Sequence, residues 1–455
     1  MTFSESIKDK KFLKWMFTLS LPIAGQNLIN ASINTADTIM VGQLGEVSIA
    51  AVGLANQIFF MLSLILFGVC SGCNVFVAQF WGKKDTTNIR KTIALSTWLS
   101  IIPCVIFTCL AIFAPEFLMR IFSSDTKVIA DGCDYLRIIA LSYIPYGISL
   151  TISGSVRTIE RPTLPLVVSI ISLFTNTFLN YVLIFGKFGV SALGIKGAAL
   201  ATTITRILEL IIVVSALYIR FKNISLRPKD FIRCLSPQFI KPFMRSVTPV
   251  IINESTWGIG VALYSVVYSK MGTGVVAAMN INNVFDNLFR AMFFGMGYAA
   301  GAIVGKTIGE GNDELALDYG KRFNIITPIF SIAFTVIIIC FAPAIKYIYN
   351  VSDDVMYSAM MLIVVSGLYA PLRNGTLVQM VGVLRSGGDT KFTLFLDLAG
   401  VWAIALPFGA LFGLVFKFNI IVVHAIMLSE ELFKYILITK RVFSGKWVSN
   451  LVRNM

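Results

Sequence analysis

Two carboxylic acids, Asp37 and Glu254, lie inside apolar stretches of this chain that are long enough to cross a membrane. A charge within hydrocarbon is costly, so such a residue usually faces the protein interior or a water-filled cavity and has a functional task. Burial favours the protonated carboxyl group, whereas a bound cation favours the ionised one. Each residue is therefore predicted to exchange a proton for Na⁺ or for an organic cation.

Amide side chains accompany Asp37. Asn34 precedes it by three residues and, with Asn27 and Asn30, forms a polar stripe at helical spacing. Asn176 and Asn180 stand one turn apart in a later stretch, where they could hydrogen-bond Asp37 or offer carbonyl oxygens to a cation. The predicted coupling group is Asp37, Glu254, Asn176 and Asn180, with Asp37 and Glu254 as possible Na⁺ ligands.

Other polar residues inside apolar stretches are weaker candidates. Asp286 and Arg290 stand at i and i+4 and predict an ion pair within one helix, as do Arg206 and Glu209 at i and i+3. Pro249 is expected to disturb the helix that carries Glu254. The candidate residues for a substrate cleft are Asn34, Asn253, Trp257, Asn283, Asp286 and Asn374. Little weight falls on Asp397 and the Glu430-Glu431 pair, and the only histidine, His424, is assigned no role.

No set of residues predicts catalysis. A phosphate-binding loop is missing from the sequence, so direct use of ATP is not expected. One histidine cannot support a credible Ser/His/Asp arrangement. The chain is therefore predicted not to be an enzyme and to need no cofactor beyond a coupling ion, Na⁺ or H⁺.

The composition predicts an all-α membrane protein. Of 455 residues, 56% are hydrophobic and only 14% are charged, which excludes an ordinary soluble protein of this size. Apolar runs of about 20 residues, each enough for one membrane-crossing helix, recur twelve times. The predicted spans are 15–40, 48–80, 92–115, 132–155, 163–185, 195–219, 243–269, 276–305, 322–345, 358–383, 392–416 and 418–439.

The basic residues predict the orientation of these spans. Most of the 38 Lys and Arg residues fall in the segments that are cytoplasmic if the N-terminus is inside the cell. Both termini are therefore expected in the cytoplasm, with the chain in the cell membrane. The net charge of +14 is explained by contact with anionic membrane lipids rather than by nucleic acid. Trp447, beside Lys446 in the basic tail, is expected at the membrane interface.

The chain repeats itself with an offset of 227 or 228 residues. Pro22 returns as Pro249, Gly82 as Gly309 and Arg157 as Arg385. Such internal repeats are typical of transporters, in which two lobes rock around a site between them. The predicted domains are an N-lobe with helices 1–6 (1–219), a cytoplasmic linker (220–242), and a C-lobe with helices 7–12 and the tail (243–455). The turn at Arg385-Ser-Gly-Gly-Asp389 is expected to end one helix, with Asp389 capping the next.

A set of short motifs extends over nearly the whole chain: Asp37–Gly45, Ile49–Gly53, Val77–Gly82, Asn180–Gly186, Gly194–Ala199, Asn253-Glu254, Gly305–Gly309 and Leu384–Thr390. Together these motifs resemble the multidrug and toxic compound extrusion (MATE) family, most of all its bacterial NorM-like branch. The resemblance implies twelve helices in two lobes around a central cleft, an N-lobe carboxylate at Asp37 and a C-lobe cation-site glutamate at Glu254. Asn374 stands where that branch often has an aspartate.

The resemblance further implies a monomeric antiporter that exports cationic or amphipathic drugs and toxins in exchange for Na⁺ or H⁺. A flippase for lipids or polysaccharide precursors is the alternative, because related two-lobed folds also carry that activity. Acidic residues in the cleft disfavour its anionic substrates, whereas Arg206, Arg290 and Arg373 leave it open. A channel, a sensory protein and a membrane enzyme are less favoured.

Overall fold

The computed structural model describes residues 9–347, 349, 351–453 and 455, and in this part of the chain it contains helices but no strand. Residues 1–8, the start of the predicted N-lobe, lie outside the described residues. The long helices are α1 Lys10–Gly42, α2 Glu46–Gly82, α3 Thr86–Phe113, α4 Thr126–Thr158, α5 Thr163–Phe185, α6 Ile195–Arg220, α7 Pro237–Met271, α8 Thr273–Gly309, α9 Asp313–Phe341, α10 Asp353–Leu384, α11 Thr390–Val415 and α12 Ile420–Phe443.

Each predicted span has one long helix as its counterpart. Ten of the described helices, α2 to α11, are long and apolar enough to cross a membrane. The 33-residue α1 and the 24-residue α12 have sufficient length as well. Their mean hydropathy is lowered by the polar stripe of α1 and by the charged side chains of α12. The all-helical membrane fold predicted from the sequence is thus confirmed.

Two helices contain π-helical stretches that the sequence did not predict. α10 ends in one, Val378–Leu384, and α11 contains two more, Ala399–Ala405 and Leu411–Val415. α7 is helical through Pro249, so the disturbance expected there does not end the helix. Each π turn inserts an extra residue into the helix, so it rotates the side chains on either side relative to one another. Such turns often occur at functional sites.

The helices form two compact units whose boundaries differ from those of the sequence repeat. One unit contains residues 25–77 and 84–244, which include the 220–242 segment. The other contains the described residues up to Ala24, together with 78–83 and 245–455. Each unit has its own buried apolar core, around Leu62 and Tyr143 in the first and around Phe293 and Phe323 in the second.

The end of α2 belongs to the second unit because it crosses α8 at two repeat-related glycines. A Cβ added to Gly82 would lie 2.0 Å from the backbone oxygen of Lys306. A Cβ added to Gly309 would lie 1.9 Å from the backbone oxygen of Gln79. Only glycine permits this approach, since any larger side chain would collide with the facing backbone. The repeated glycines of the sequence therefore mark a helix crossing.

The C-terminal tail packs against the same crossing. The Gln79 amide donates to the carbonyl oxygens of Ser386 and Ser449, at 2.8 and 3.1 Å, and accepts from the backbone N–H of Leu451 at 2.8 Å. Trp447 is 1% exposed and its indole N–H donates to the Val442 carbonyl, 3.0 Å away. The ring is therefore packed inside the protein rather than against lipid, and its depth in the membrane stays a prediction.

Candidate functional site

The first candidate site is a chain of polar side chains across three helices of the first unit. The Asn180 amide on α5 donates to Oδ1 of Asp37 on α1. It also donates to Oδ1 of Asn176, one turn earlier, at 3.2 Å. The Asn176 amide then donates to the Thr202 hydroxyl on α6, at 3.4 Å. Asp37, Asn176 and Asn180, which the sequence grouped together, are thus brought together.

Asp37 differs from Glu209, Glu254, Asp286 and Asp397 in having a neutral hydrogen-bond partner and, among the described residues, no ion pair. In the described part of the chain it forms no ion pair, and its hydrogen bond comes from an amide. The neighbouring Glu209 is paired with Arg206 at 2.8 Å, as the sequence predicted. Asn180 is fully buried, and its Oδ1 atom lacks a hydrogen-bond partner. An ionisable oxygen and an unsatisfied amide oxygen therefore lie on adjoining residues, a combination suited to a proton or to a hard cation such as Na⁺.

Glu254 is arranged differently. Its Oε1 accepts from Nη2 of Arg385 at 2.7 Å, and the two residues are 8% and 1% exposed. The first unit contains the matching contact, in which Nη1 of Arg157 donates to Oε1 of Gln26 at 2.9 Å. Both pairs are separated by 131 residues, and an offset of 228 converts one into the other. Glu254 therefore occupies the position of an amide that joins two helices, and its charge is neutralised by Arg385.

A second group of charges surrounds Asp286 on α8. Asp286 is paired with Arg373 on α10 and lies 3.9 Å from Arg290, four residues along its own helix. The Arg290 guanidinium stacks over the Trp257 ring at 5.3 Å. The ion pair predicted within α8 is present, but the sequence did not indicate the stronger bond to Arg373. Helical spacing could not indicate that bond because Arg373 comes from a different helix, α10.

A third group centres on Lys434, a residue to which the sequence analysis assigned no role. Its ammonium lies 3.1 Å from Glu431, 3.5 Å from Glu430 and 3.6 Å from Asp397. Asp397 also accepts a 2.9 Å hydrogen bond from Asn253. The sequence gave little weight to these acids. Glu430 and Glu431 stand four and three residues before Lys434 inside a predicted span, and this spacing was the signal available to find them.

The charged group around Asp286 and two of the acids beside Lys434 border a cavity of about 190 Å³ inside the second unit. Trp257, Asn283 and Asp286, three of the predicted cleft residues, line it together with Arg290, Arg373, Glu430 and Glu431. His424 lines it as well, held by the Tyr268 hydroxyl at 3.2 Å from Nδ1 and by the Ser366 hydroxyl at 3.0 Å from Nε2. Because both of its ring nitrogens are engaged, His424 helps to shape the wall of this cavity.

The remaining predicted residues lie elsewhere. Asn374 is buried and its amide donates to the Ser331 hydroxyl at 2.9 Å, while Asn34 is exposed on α1. Asp389 stands at the N-cap position of α11, as expected, but its side chain makes no capping hydrogen bond and instead accepts from Nε of Arg441 at 2.6 Å. Among the described residues, no group of three or more His, Cys, Asp or Glu side chains could hold a metal ion.

The MatE family profile matches residues 22–182 and again 249–411. Its two matches start 227 residues apart, which is the offset of the repeat, and together they cover most of the chain. The chain belongs to the MatE family. The NorM resemblance is also supported by similarity to a probable multidrug resistance protein NorM of Thermotoga maritima, with 24% identity over 96% of this chain and 94% of that protein.

Solved structures agree on the fold of this MatE chain. A Pyrococcus furiosus MOP superfamily transporter superposes with a TM-score of 0.86 at 20% identity, covering 95% of this chain and 96% of the other. It is described as having a binding pocket of reverse polarity that suggests a different function. A multidrug resistance MATE family transporter in an outward-facing conformation superposes with a TM-score of 0.84 at 19% identity, over 95% and 96%. The two-lobed MATE fold predicted from the sequence is confirmed.

Proposed function

We propose that this chain is a secondary antiporter that exports cationic or amphipathic organic compounds in exchange for Na⁺ or H⁺. Asp37 is the carboxylate at which the exchange takes place. The observation that carries this proposal is the absence of any ion pair to Asp37 in the described part of the chain, where Glu254, Asp286, Glu209 and Asp397 each have a cationic partner. The neighbouring Arg206 is paired with Glu209, so the carboxylate of Asp37 remains available to a proton, to Na⁺ or to an organic cation.

The geometry of Asp37 suits competition between ligands. A proton, Na⁺ and the ammonium of a drug each neutralise one carboxylate, so binding of one disfavours the others. The unsatisfied Oδ1 of Asn180 supplies a second oxygen for Na⁺ or for an ammonium donor. Exchange further requires that each ligand binds the two orientations of the transporter unequally, and we assign that difference to the surroundings of Asp37.

The names of the relatives support export of drugs. The Thermotoga protein is called a probable multidrug resistance protein, and the outward-facing structure is of a multidrug resistance transporter. The chain itself has no nucleotide-binding motif, so an ion gradient rather than ATP is the energy source, and no enzymatic step is proposed. Aromatic and methionine side chains supply cation–π and dispersion contacts that tolerate substrates of varied shape.

We place the protein in the cell membrane as a monomer with both termini in the cytoplasm. An even number of spans brings the two termini to the same side, and the Lys- and Arg-rich segments assign that side to the cytoplasm. The basic segment at 220–242 then faces the anionic inner leaflet, which is the membrane-lipid partner we propose.

Competition at equilibrium tests this function in the purified protein. We expect ethidium to bind the protein in detergent, and we expect its apparent Kd to rise as either Na⁺ or H⁺ increases, because one of these ions competes for Asp37. Fluorescence anisotropy at constant ionic strength, with choline replacing Na⁺, gives the measurement. Ethidium binding that responds to neither ion would contradict the antiport proposal.

A lipid or precursor flippase is the second candidate, favoured by one observation. Arg290 and Arg373 line the cavity of the second unit and could bind an anionic group. The acids Asp286, Glu430 and Glu431 line the same cavity, which makes its charge mixed rather than cationic. The flippase would be supported if the protein moved a fluorescent anionic lipid between leaflets and did not bind ethidium.

A further inference from the structure

Lys434 lies within a ring of three carboxylates in the second unit. The side chain is 3% exposed, and its Nζ is 3.1 Å from Oε1 of Glu431, 3.5 Å from Oε2 of Glu430 and 3.6 Å from Oδ1 of Asp397. Carboxylate oxygens gathered from two helices around one point are the environment in which a protein binds a mobile cation. In this protein the side-chain ammonium of Lys434 occupies that point.

The surrounding helices hold this arrangement in place. Glu430, Glu431 and Lys434 share one face of α12, while Asp397 comes from α11 immediately before a π-helical turn. Gly400 lies within that turn, and a Cβ there would come 2.7 Å from Oε2 of Glu430 and 3.0 Å from Cδ of Lys434. The backbone of α11 therefore packs directly against the Lys434 side chain and excludes other positions of that side chain on this side.

An independent observation shows that the carboxylates have unused capacity for a ligand. Glu430 and Glu431 are 6% and 7% exposed; Oε2 of Glu431 lacks a hydrogen-bond partner, and Oε2 of Glu430 has only its 3.5 Å contact with the Lys434 ammonium. Both residues line the 190 Å³ cavity, whose wall also contains the unsatisfied Oδ1 of buried Asn282. Buried oxygens without a donor are costly, so this wall favours a donor or a cation.

We propose that Lys434 is the resident cation of this carboxylate cluster and prevents Na⁺ from binding there. A mobile cation would need the oxygens that the ammonium now contacts, and two positive charges would repel one another at that distance. Removal of the ammonium converts the cluster into a site for a monovalent cation, either Na⁺ or a small alkylammonium. This proposal concerns Lys434 and its carboxylates and holds whether or not Asp37 carries the exchange.

Chemical rescue tests the proposal. The full-length Lys434→Ala protein is purified in the Asp37→Asn background, so that a cation bound near Asp37 does not contribute. We expect its melting temperature to lie below that of the Asp37→Asn parent and to rise with added n-propylammonium or Na⁺, measured against choline at equal ionic strength. The parent is expected to show no such shift and no saturable ²²Na⁺ binding.

Lys440→Ala is the matched control, because Lys440 is exposed on the same helix. It should behave as the parent does in every salt. A rise of the Lys434→Ala melting temperature no larger than that of Lys440→Ala would overturn the proposal, as would saturable ²²Na⁺ binding by the parent. If Lys434→Ala does not fold, Lys434→Gln is measured in the same way, and the ²²Na⁺ result on the parent still decides the question.

Discussion

Asp37→Asn should abolish ion-coupled export while the protein remains folded. The substitution keeps the shape of the side chain and its contact with Asn180, but it removes the charge of a carboxylate that forms no ion pair in the described part of the chain. An amide cannot release a proton at physiological pH, and it binds a cation more weakly than a carboxylate does. Cells expressing the variant should therefore accumulate ethidium to the level of cells without the transporter.

The matched control is Glu46→Gln, since Glu46 is an exposed carboxylate at the start of α2. It should leave ethidium accumulation at the wild-type level. Comparable amounts of each variant in the membrane, measured by immunoblot, establish that the transporter is present. Wild-type export by Asp37→Asn would mean that the exchange site is elsewhere. Glu254 would then be the leading candidate for the coupling carboxylate.

Arg385→Ala should destabilise the protein far more than Glu254→Gln. Removal of the arginine leaves the Glu254 carboxylate buried without its partner, and breaking a buried ion pair in this way costs about 3–5 kcal/mol. Glu254→Gln instead reproduces the pair of Arg157 and Gln26 found in the first unit, so it should cost less than about 1.5 kcal/mol. Thermal unfolding of the purified variants measures both effects.

The double variant Arg385→Met, Glu254→Leu provides the internal check on this pair. It removes both charges together, so it should recover much of the stability lost in Arg385→Ala. Equal destabilisation by Arg385→Ala and Glu254→Gln would show that the charge of Glu254 has a task beyond neutralising Arg385. In that event Glu254 would be a coupling residue, as the sequence suggested.

The fold could be predicted from the sequence because membranes permit few alternatives. A helix satisfies its own backbone hydrogen bonds, so twelve apolar runs of sufficient length predict twelve helices with little further information. The contact of Asn180 with Asp37 could also be predicted, because the polar face of a membrane span must turn away from lipid. The disturbance expected at Pro249 does not end α7, which is helical through that residue.

The charged groups of the second unit could not be predicted in the same way. Helical spacing identifies neighbours on one helix, whereas Glu254 with Arg385 and Asp286 with Arg373 are contacts between helices. The π-helical turns beside Arg385 and Asp397 add to the difficulty, because an inserted residue changes which side chains share a face. Only the repeat offers a signal: an offset of 228 maps Gln26 and Arg157 onto Glu254 and Arg385.

Gradient-driven efflux from proteoliposomes is the most direct test of the proposed antiport. Purified transporter is reconstituted with ethidium, and a Na⁺ gradient and a proton gradient are imposed separately, with the membrane potential clamped to zero. The account predicts ethidium movement against its own gradient under one of the two, and loss of that movement in Asp37→Asn. Failure of both gradients to drive ethidium, or an undiminished rate in Asp37→Asn, would contradict it.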